Sequence, residues 1–210
     1  MNLQYYYWYF KSAIPPRICN DIVKYGLRHE DNVAITGGLG FARNLEKKPL
    51  NKKEIKDLKK KRDSIVVLMS DRWIYKEIHP YVTDANKSAG WNFEWNWSES
   101  CQFTKYKSGQ YYDWHCDSWE VAYDQKGPTK DKIRKLSVTV SLSDEKDYSG
   151  GELEFQFRNK DNPTTTRLCT EILPQGSVVV FPSFVWHRVK PVKKGVRYSL
   201  VMWNLGHPFK

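Results

Sequence analysis

The sequence predicts an α+β chain in which a jelly-roll barrel follows supporting N-terminal helices. Three observations predict it. Apolar residues recur at helical spacing within the first ninety positions. From Trp91 onward the chain turns to short runs of aromatic and β-branched residues separated by Gly, Pro, Asn and Asp. Eight such runs fit into that second part, the number a jelly roll uses. At 210 residues, 40% of them hydrophobic and 15% aromatic, the chain can bury one good core. A single domain over 1–210 is expected, helical to about residue 90 and barrel from about 91.

Taking the elements in order, "PPRICNDIVKYGLRH" places Pro in the first turn of a helix and Ile18, Ile22, Val23 and Leu27 on one face. A second helix is expected from Lys52 to Arg62, and a third from Asp71 to Ser88, broken or kinked by Pro80. The expected strands are Cys101 to Lys107, Gln110 to His115, Lys135 to Leu142, Glu152 to Phe157, Arg167 to Ile172, Ser177 to Phe181, Val185 to Val189 and Val196 to Trp203. Ser118 to Arg134 is a connection longer than its neighbours, with a Gly-Pro pair inside it. Long loops in compact barrels are more often functional than idle, so it is a candidate lid.

The net charge is +10, and six charges of that excess fall between Glu46 and Arg62. Such a run reads first as a solvated helix, with an acidic partner or polyanion as the alternative. Cys19, Cys101, Cys116 and Cys169 show no CxxC spacing and are expected to be reduced thiols. No run approaches the roughly 20 apolar residues that cross a bilayer. The N-terminal stretch lacks the basic and small-residue signals of a secretory leader. A cytoplasmic protein without a membrane partner is the expectation.

The stretch "YYDWHCDSWE" holds His115 and Asp117 two residues apart. On a strand they share a side and Cys116 faces away, so the pair can converge on one ion if a third ligand exists. His29 and His79 fall in the helical region and His207 near the C-terminus. His187 differs, because alternation puts it between Val185 and Val189 on an inward face. The following strand puts Arg197, Ser199, Val201 and Trp203 on one face. A buried guanidinium cannot shed its proton and needs an anion. Two histidines and a carboxylate leave three coordination positions open, which suits non-heme Fe(II) binding a cosubstrate and O₂ together. The arginine then has an anion to hold, the distal carboxylate of 2-oxoglutarate.

With these residues in view, "QFTKYKSGQYYDWHCD", "RKLSVTVSLSDEKDYSGGELEF" and "GSVVVFPSFVWHRVKPVKKGVRYSLVMWNLG" together resemble the Fe(II)- and 2-oxoglutarate-dependent dioxygenases, in their prolyl 4-hydroxylase-like branch of bacterial and phage-borne enzymes; "DRWIYKEIHPYVTDANKSAGWNFEW" resembles them more weakly. The resemblance implies a distorted double-stranded β-helix with His115, Asp117 and His187 as the catalytic iron ligands. It implies Arg197 as the 2-oxoglutarate binder, assisted by Ser199 and by Tyr106 in a pattern shared with Gly109 and Tyr112. A further polar contact falls to Thr139 or Ser141. The implied reaction is hydroxylation with O₂ as cosubstrate, 2-oxoglutarate leaving as succinate and CO₂, and ascorbate as a reductant.

Its implied substrate is a peptide or protein presenting proline in an extended or polyproline-like segment beneath the Ser118 to Arg134 loop. Trp119 and Tyr123 are the candidate platform, and Trp114 and Trp186 are expected to point away from the pocket. The alternatives are a hydroxylase of lysine or a free amino acid, a nucleic-acid dealkylase, and a non-enzymatic metal-binding jelly roll. Dealkylases carry a second arginine six residues after the first, where this chain has Trp203, so nucleic acid is not the expected partner. A structural ion needs no anion clamp such as Arg197 and Ser199.

Overall fold

The computed structural model describes residues 3–29, 32–33, 51–118, 121–157 and 165–209. Its strands are β1 (Trp8–Phe10), β2 (Asn32–Val33), β3 (Arg62–Asp63), β4 (Ile65–Met69), β5 (Trp97–Ser98), β6 (Cys101–Lys107), β7 (Tyr111–His115), β8 (Ile133–Ser141), β9 (Tyr148–Gly150), β10 (Leu153–Phe157), β11 (Thr165–Leu168), β12 (Val178–Pro182), β13 (Trp186–Val189) and β14 (Val192–Gly206). The helices are α1 (Pro16–Gly26), α2 (Lys52–Lys61) and α3 (Arg72–Ser88).

Two antiparallel sheets form the jelly roll. The larger has nine strands, with the path β1-β12-β8-β14-β6-β4-β2 and with β5 and β9 paired to β14; the smaller has five, ordered β11-β10-β13-β7-β3. Alternation on β8, β12 and β14 buries Leu136, Val138, Val140, Val178, Val180, Leu200 and Met202 on the side of the helices. The opposite side of the same strands, with Phe155 and Val189 of the smaller sheet, builds a second cluster that includes Val179 and Phe181. The space between the sheets is where the polar residues of the site collect.

Each helix forms for a local reason. Pro16 opens α1, where a missing N–H costs nothing. At the start of α2, Asn51 Oδ1 accepts from the Glu54 amide at 2.9 Å and Glu54 Oε2 accepts from the Asn51 amide at 2.8 Å. This is a reciprocal capping box. In α3, Ile74, Ile78, Val82 and Ala85 lie fully buried at helical spacing against the large sheet.

Several expectations need correction. The N-terminal part carries the three expected helices but also contributes strands that were not expected: β1 joins β12 on the large sheet, β4 joins β6, and β3 joins β7 on the small sheet. Pro80 does not break α3, which runs through it. Leu27 caps α1 exposed, and Cys19 takes its place on the buried face. The strand expected from Arg167 to Ile172 ends at Leu168 and gives way to a 3₁₀ turn at Thr170–Ile172. The last strand extends to Gly206 because β5, β6, β8 and β9 all pair along it. The four cysteines are free thiols. Among the described residues no helix is long and apolar enough to cross a membrane.

Candidate active site

Strand pairing assembles the site. His187 on β13 is the direct cross-strand partner of His115 at the end of β7. Two residues on, the amides of Asp117 and Ser118 both donate to the Ser183 carbonyl, at 2.8 and 3.0 Å, fixing the backbone where the strand ends. The ligand atoms of His115, Asp117 and His187 all lie within 4.8 Å of one another. His115 Nε2 stands 3.8 Å from Asp117 Oδ1, and His187 Nε2 3.6 Å from Asp117 Oδ2.

The groups behind these three set their chemical state. His115 Nδ1 contacts the Asp113 carbonyl at 2.7 Å and His187 Nδ1 the Val185 carbonyl at 3.0 Å. A carbonyl only accepts, so Nδ1 carries a proton in each ring and Nε2 is the nitrogen turned to the centre as the ligand atom. Burial, reinforced by His187, holds the His115 imidazole well below the ordinary histidine range, in its neutral form. For Asp117, burial opposes the charge, but His187, His115 and Arg134 outweigh it and hold the carboxyl at about 2. Ser137 Oγ donates to Asp117 Oδ2 at 2.7 Å. Two imidazoles and one carboxylate therefore fit a divalent metal with open positions, and the N/O donor set suits Fe(II).

Arg197 is 3% exposed, and Nη1 donates to Ser199 Oγ at 3.2 Å. Its cross-strand partner is Tyr106, whose ring centroid lies 5.6 Å from the guanidinium carbon. Among the described residues no carboxylate pairs with Arg197. Beneath it Gly151 adopts φ +67°, and a Cβ there would come within 2.9 Å of Arg197 Cδ. The double glycine of "SGGELEF" thus clears the path of the arginine side chain.

The triad and the Arg197 pair border one cleft of about 1540 Å³ between the sheets. Small-ligand pockets hold roughly 300–1,000 Å³, so this cleft has room for a cosubstrate and part of a polymer. The structure brings His115, Asp117, His187, Arg197, Ser199 and Tyr106 together in it. Thr139 borders the cleft as well, whereas Ser141 does not. The Trp114 ring packs on Arg188, 4.7 Å from its guanidinium carbon, on the face of the small sheet opposite His187, as expected, and Trp114, Trp186 and Cys116 all border the cleft. Tyr123 also borders it, with its hydroxyl donating to Glu99 Oε1 at 3.1 Å. Trp119 lies outside the described residues.

Four contributors were missed in the sequence. Ser137 anchors Asp117. Arg134 forms a two-point pair with Glu99, at 2.8 and 2.5 Å, and lies 3.8 Å over the Trp203 ring. Tyr112 stacks on His115 at 3.5 Å between centroids. The signal for Ser137 was present, since it alternates inward with Leu136 and Val138 turned the other way, but a serine in a strand has many bland readings.

A model of the 2OG-Fe(II) oxygenase superfamily matches residues 101–204, the span that carries His115, Asp117, His187, Arg197, Ser199 and Tyr106. The chain belongs to that superfamily. Among curated relatives of this superfamily member is a PKHD-type hydroxylase of Pseudomonas fluorescens, 36% identical over 100 residues, covering 47% of this chain and 40% of the relative. The chain therefore matches less than half the length of that relative. Among solved structures, a viral collagen prolyl hydroxylase from Paramecium Bursaria Chlorella virus-1, in complex with 2OG, superimposes with a TM-score of 0.62 at 16% identity over 97% of both chains. A prolyl hydroxylase from Trichoplax adhaerens, in complex with a hypoxia inducible factor peptide fragment, gives 0.57 at 15% identity over 96% of this chain and 84% of the other. At such identities the superpositions establish the fold: this superfamily member carries the prolyl hydroxylase jelly roll.

Proposed function

We propose that the protein is an Fe(II)- and 2-oxoglutarate-dependent hydroxylase acting on peptidyl proline. The observation that carries this reading is the meeting, in one cleft, of a His, His, carboxylate triad with a buried arginine that has no acidic partner among the described residues. A structural ion would account for the triad alone. The arginine calls for a carboxylate from outside the chain.

In this reading His115, Asp117 and His187 hold the metal. When bound, Fe(II) supplies the activation of O₂, with 2-oxoglutarate decarboxylated to succinate and CO₂, one oxygen atom ending in succinate and the other in the substrate hydroxyl. Arg197 and Ser199 hold the distal carboxylate of 2-oxoglutarate, and Tyr106 and Thr139 flank it. Ser137 and the two backbone carbonyls keep the ligands oriented, so that no reorganisation is needed when the cosubstrate enters. Trp203 borders the cleft and helps to exclude water from the reacting groups.

Three features support a peptidyl proline substrate: the cleft exceeds the cosubstrate's needs, its rim is aromatic in the manner of proline-rich recognition, and a fold neighbour holds a peptide. The 118–134 segment, through Val121, Tyr123 and Thr129, borders the outer cleft and is placed to cover that peptide. The test is incubation with Fe(II), 2-oxoglutarate, O₂ and proline-containing peptides, followed by mass spectrometry and succinate assay. One oxygen gained at proline per succinate formed is the expected result. Oxygen gained only by lysine peptides or free amino acids would sink the prolyl assignment.

A further inference from the structure

Two buried guanidinium groups border the cleft, and the proposed function uses one of them. The other is Arg62, 4% exposed, on β3 opposite Tyr112 of β7. Its Nε donates to Ser64 Oγ at 2.8 Å, and its guanidinium carbon sits 4.5 Å from the Tyr112 ring centroid. Tyr112 in turn stacks on His115. A single aromatic ring therefore separates this cation from a metal-binding imidazole.

Other than Arg62 and Arg197, the described arginines that lie over aromatic rings pair with carboxylates. Arg134 pairs with Glu99, and Arg188 pairs with Glu154 at 2.6 Å. Among the described residues Arg62 pairs with none. A serine hydroxyl and a tyrosine face soften its burial, but neither brings the opposite charge that an undischargeable guanidinium requires. Adjacent Lys61 adds a second cation at the same edge of the cleft, its Nζ held on the Trp114 carbonyl at 2.6 Å. Among the described residues no carboxylate pairs with either cation at this edge of the site.

We propose that Arg62 is a specificity-determining residue that receives a carboxylate side chain of the substrate, so that the hydroxylated segment carries Asp or Glu beside its target residue. The inference rests on the hydroxylase reading above and names the substrate class more narrowly. The spacing fits: one stacked ring spans roughly the length of one to two residues of extended chain, at about 3.3 Å each. A planar guanidinium whose Nη nitrogens have no protein acceptor among the described residues can take such a carboxylate in two-point fashion.

The test uses a pool of synthetic peptides, each with one central proline flanked on either side by Asp, Glu, Asn, Gln, Lys or Ala. The full chain is loaded with Fe(II) and 2-oxoglutarate and scored by oxygen gained. Wild type should favour an acidic neighbour at one position over its amide counterpart by about tenfold or more, the size of one charge-assisted contact. Arg62→Gln should level that ratio and Arg62→Lys should keep part of it. Equal use of acidic and amide peptides by wild type would overturn the inference while leaving the hydroxylase reading intact, and so would a preference that survives in Arg62→Gln. A raised 2-oxoglutarate requirement in Arg62→Gln with an unchanged peptide preference would move Arg62 to the cosubstrate and equally overturn it. If no peptide gains oxygen, the prolyl reading fails separately. Anaerobic binding of the same acidic and amide peptides, followed by tryptophan fluorescence, then decides the inference. Tighter binding of the acidic member that is lost in Arg62→Gln supports it, and equal or absent binding overturns it.

Discussion

His115 and His187 are direct cross-strand partners on β7 and β13, with ring centroids 4.1 Å apart. Two imidazoles at a paired position would repel if both were protonated. Here each is tied at Nδ1 to a carbonyl two residues back in its own chain segment. The register of a single strand pair therefore presets two of the three proposed metal ligands. His115→Ala or His187→Ala should lower succinate formation by more than about 100-fold, since even outer partners of a metal cost 10–100-fold. Circular dichroism should show the fold retained. Normal turnover with added Fe(II) in either variant would remove that residue from the ligand set.

Arg197→Ala should raise the 2-oxoglutarate requirement by orders of magnitude, because the cosubstrate carboxylate would be buried without a partner at a cost of about 2–5 kcal/mol. Arg197→Lys should be milder. Titration of succinate formation against 2-oxoglutarate checks both, and an unchanged requirement in Arg197→Ala would place the clamp elsewhere.

Gly151→Ala should act on the same quantity without touching a ligand, because its Cβ would meet Arg197 Cδ and Val192 Cγ2 at 2.9 Å and its φ is +67°. The expected signature is a raised 2-oxoglutarate requirement with Fe(II) affinity close to wild type. Loss of both in proportion would indicate general unfolding instead.

Ser137→Ala removes the hydroxyl that donates to Asp117 Oδ2. Fe(II) affinity should weaken by about 10–100-fold, read by titration of the apoprotein under anaerobic conditions. Thr139→Val, on the same strand without a contact to Asp117, is the comparison that should leave the metal affinity in place.

The sequence already showed the triad and Arg197, because a strand's two-residue period carries side-chain direction directly: His115 and Asp117 at i and i+2, and Arg197 and Ser199 likewise. It did not show what lies across strands. Ser137 reaches Asp117 because β8 runs beside β12, which places Phe181 opposite Ser137 and Ser183 beside it, with the hydroxyls of Ser137 and Ser183 at 2.9 Å. Nothing local to Ser137 encodes that pairing. Arg62 was hidden for a different reason: it ends a run of lysines whose charge pattern reads as a solvated helix, while the structure gives the lysines to α2 and turns Arg62 inward on β3. Ile65–Met69 was passed over because it follows that helix within a few residues, although "IVVLM" is a clear β-branched run.

The pH dependence follows from one buried and one half-buried histidine. Burial lowers the pKa of both His115 and His79 from the ordinary value of 6.5. Below 6.5 the unfolded chain binds protons at these positions and the folded chain does not, so stability falls as pH falls, until the folded values are reached. Asp117, held at about 2, contributes stability above the ordinary value of 3.8 and loses it only as pH drops toward 2. The Tm of the metal-free protein should decline between about pH 6.5 and 5. His79→Gln should show a shallower decline, and a flat Tm in wild type over that window would contradict the assigned protonation states.

The most direct measurement is the visible absorption of the protein under anaerobic conditions on addition of Fe(II) and then 2-oxoglutarate. A weak metal-to-cosubstrate charge-transfer band should appear only when both are present, disappear in His187→Ala, and require far more 2-oxoglutarate in Arg197→Ala. Absence of the band in wild type, or its persistence in His187→Ala, would contradict a 2-oxoglutarate-binding iron centre at His115, Asp117 and His187.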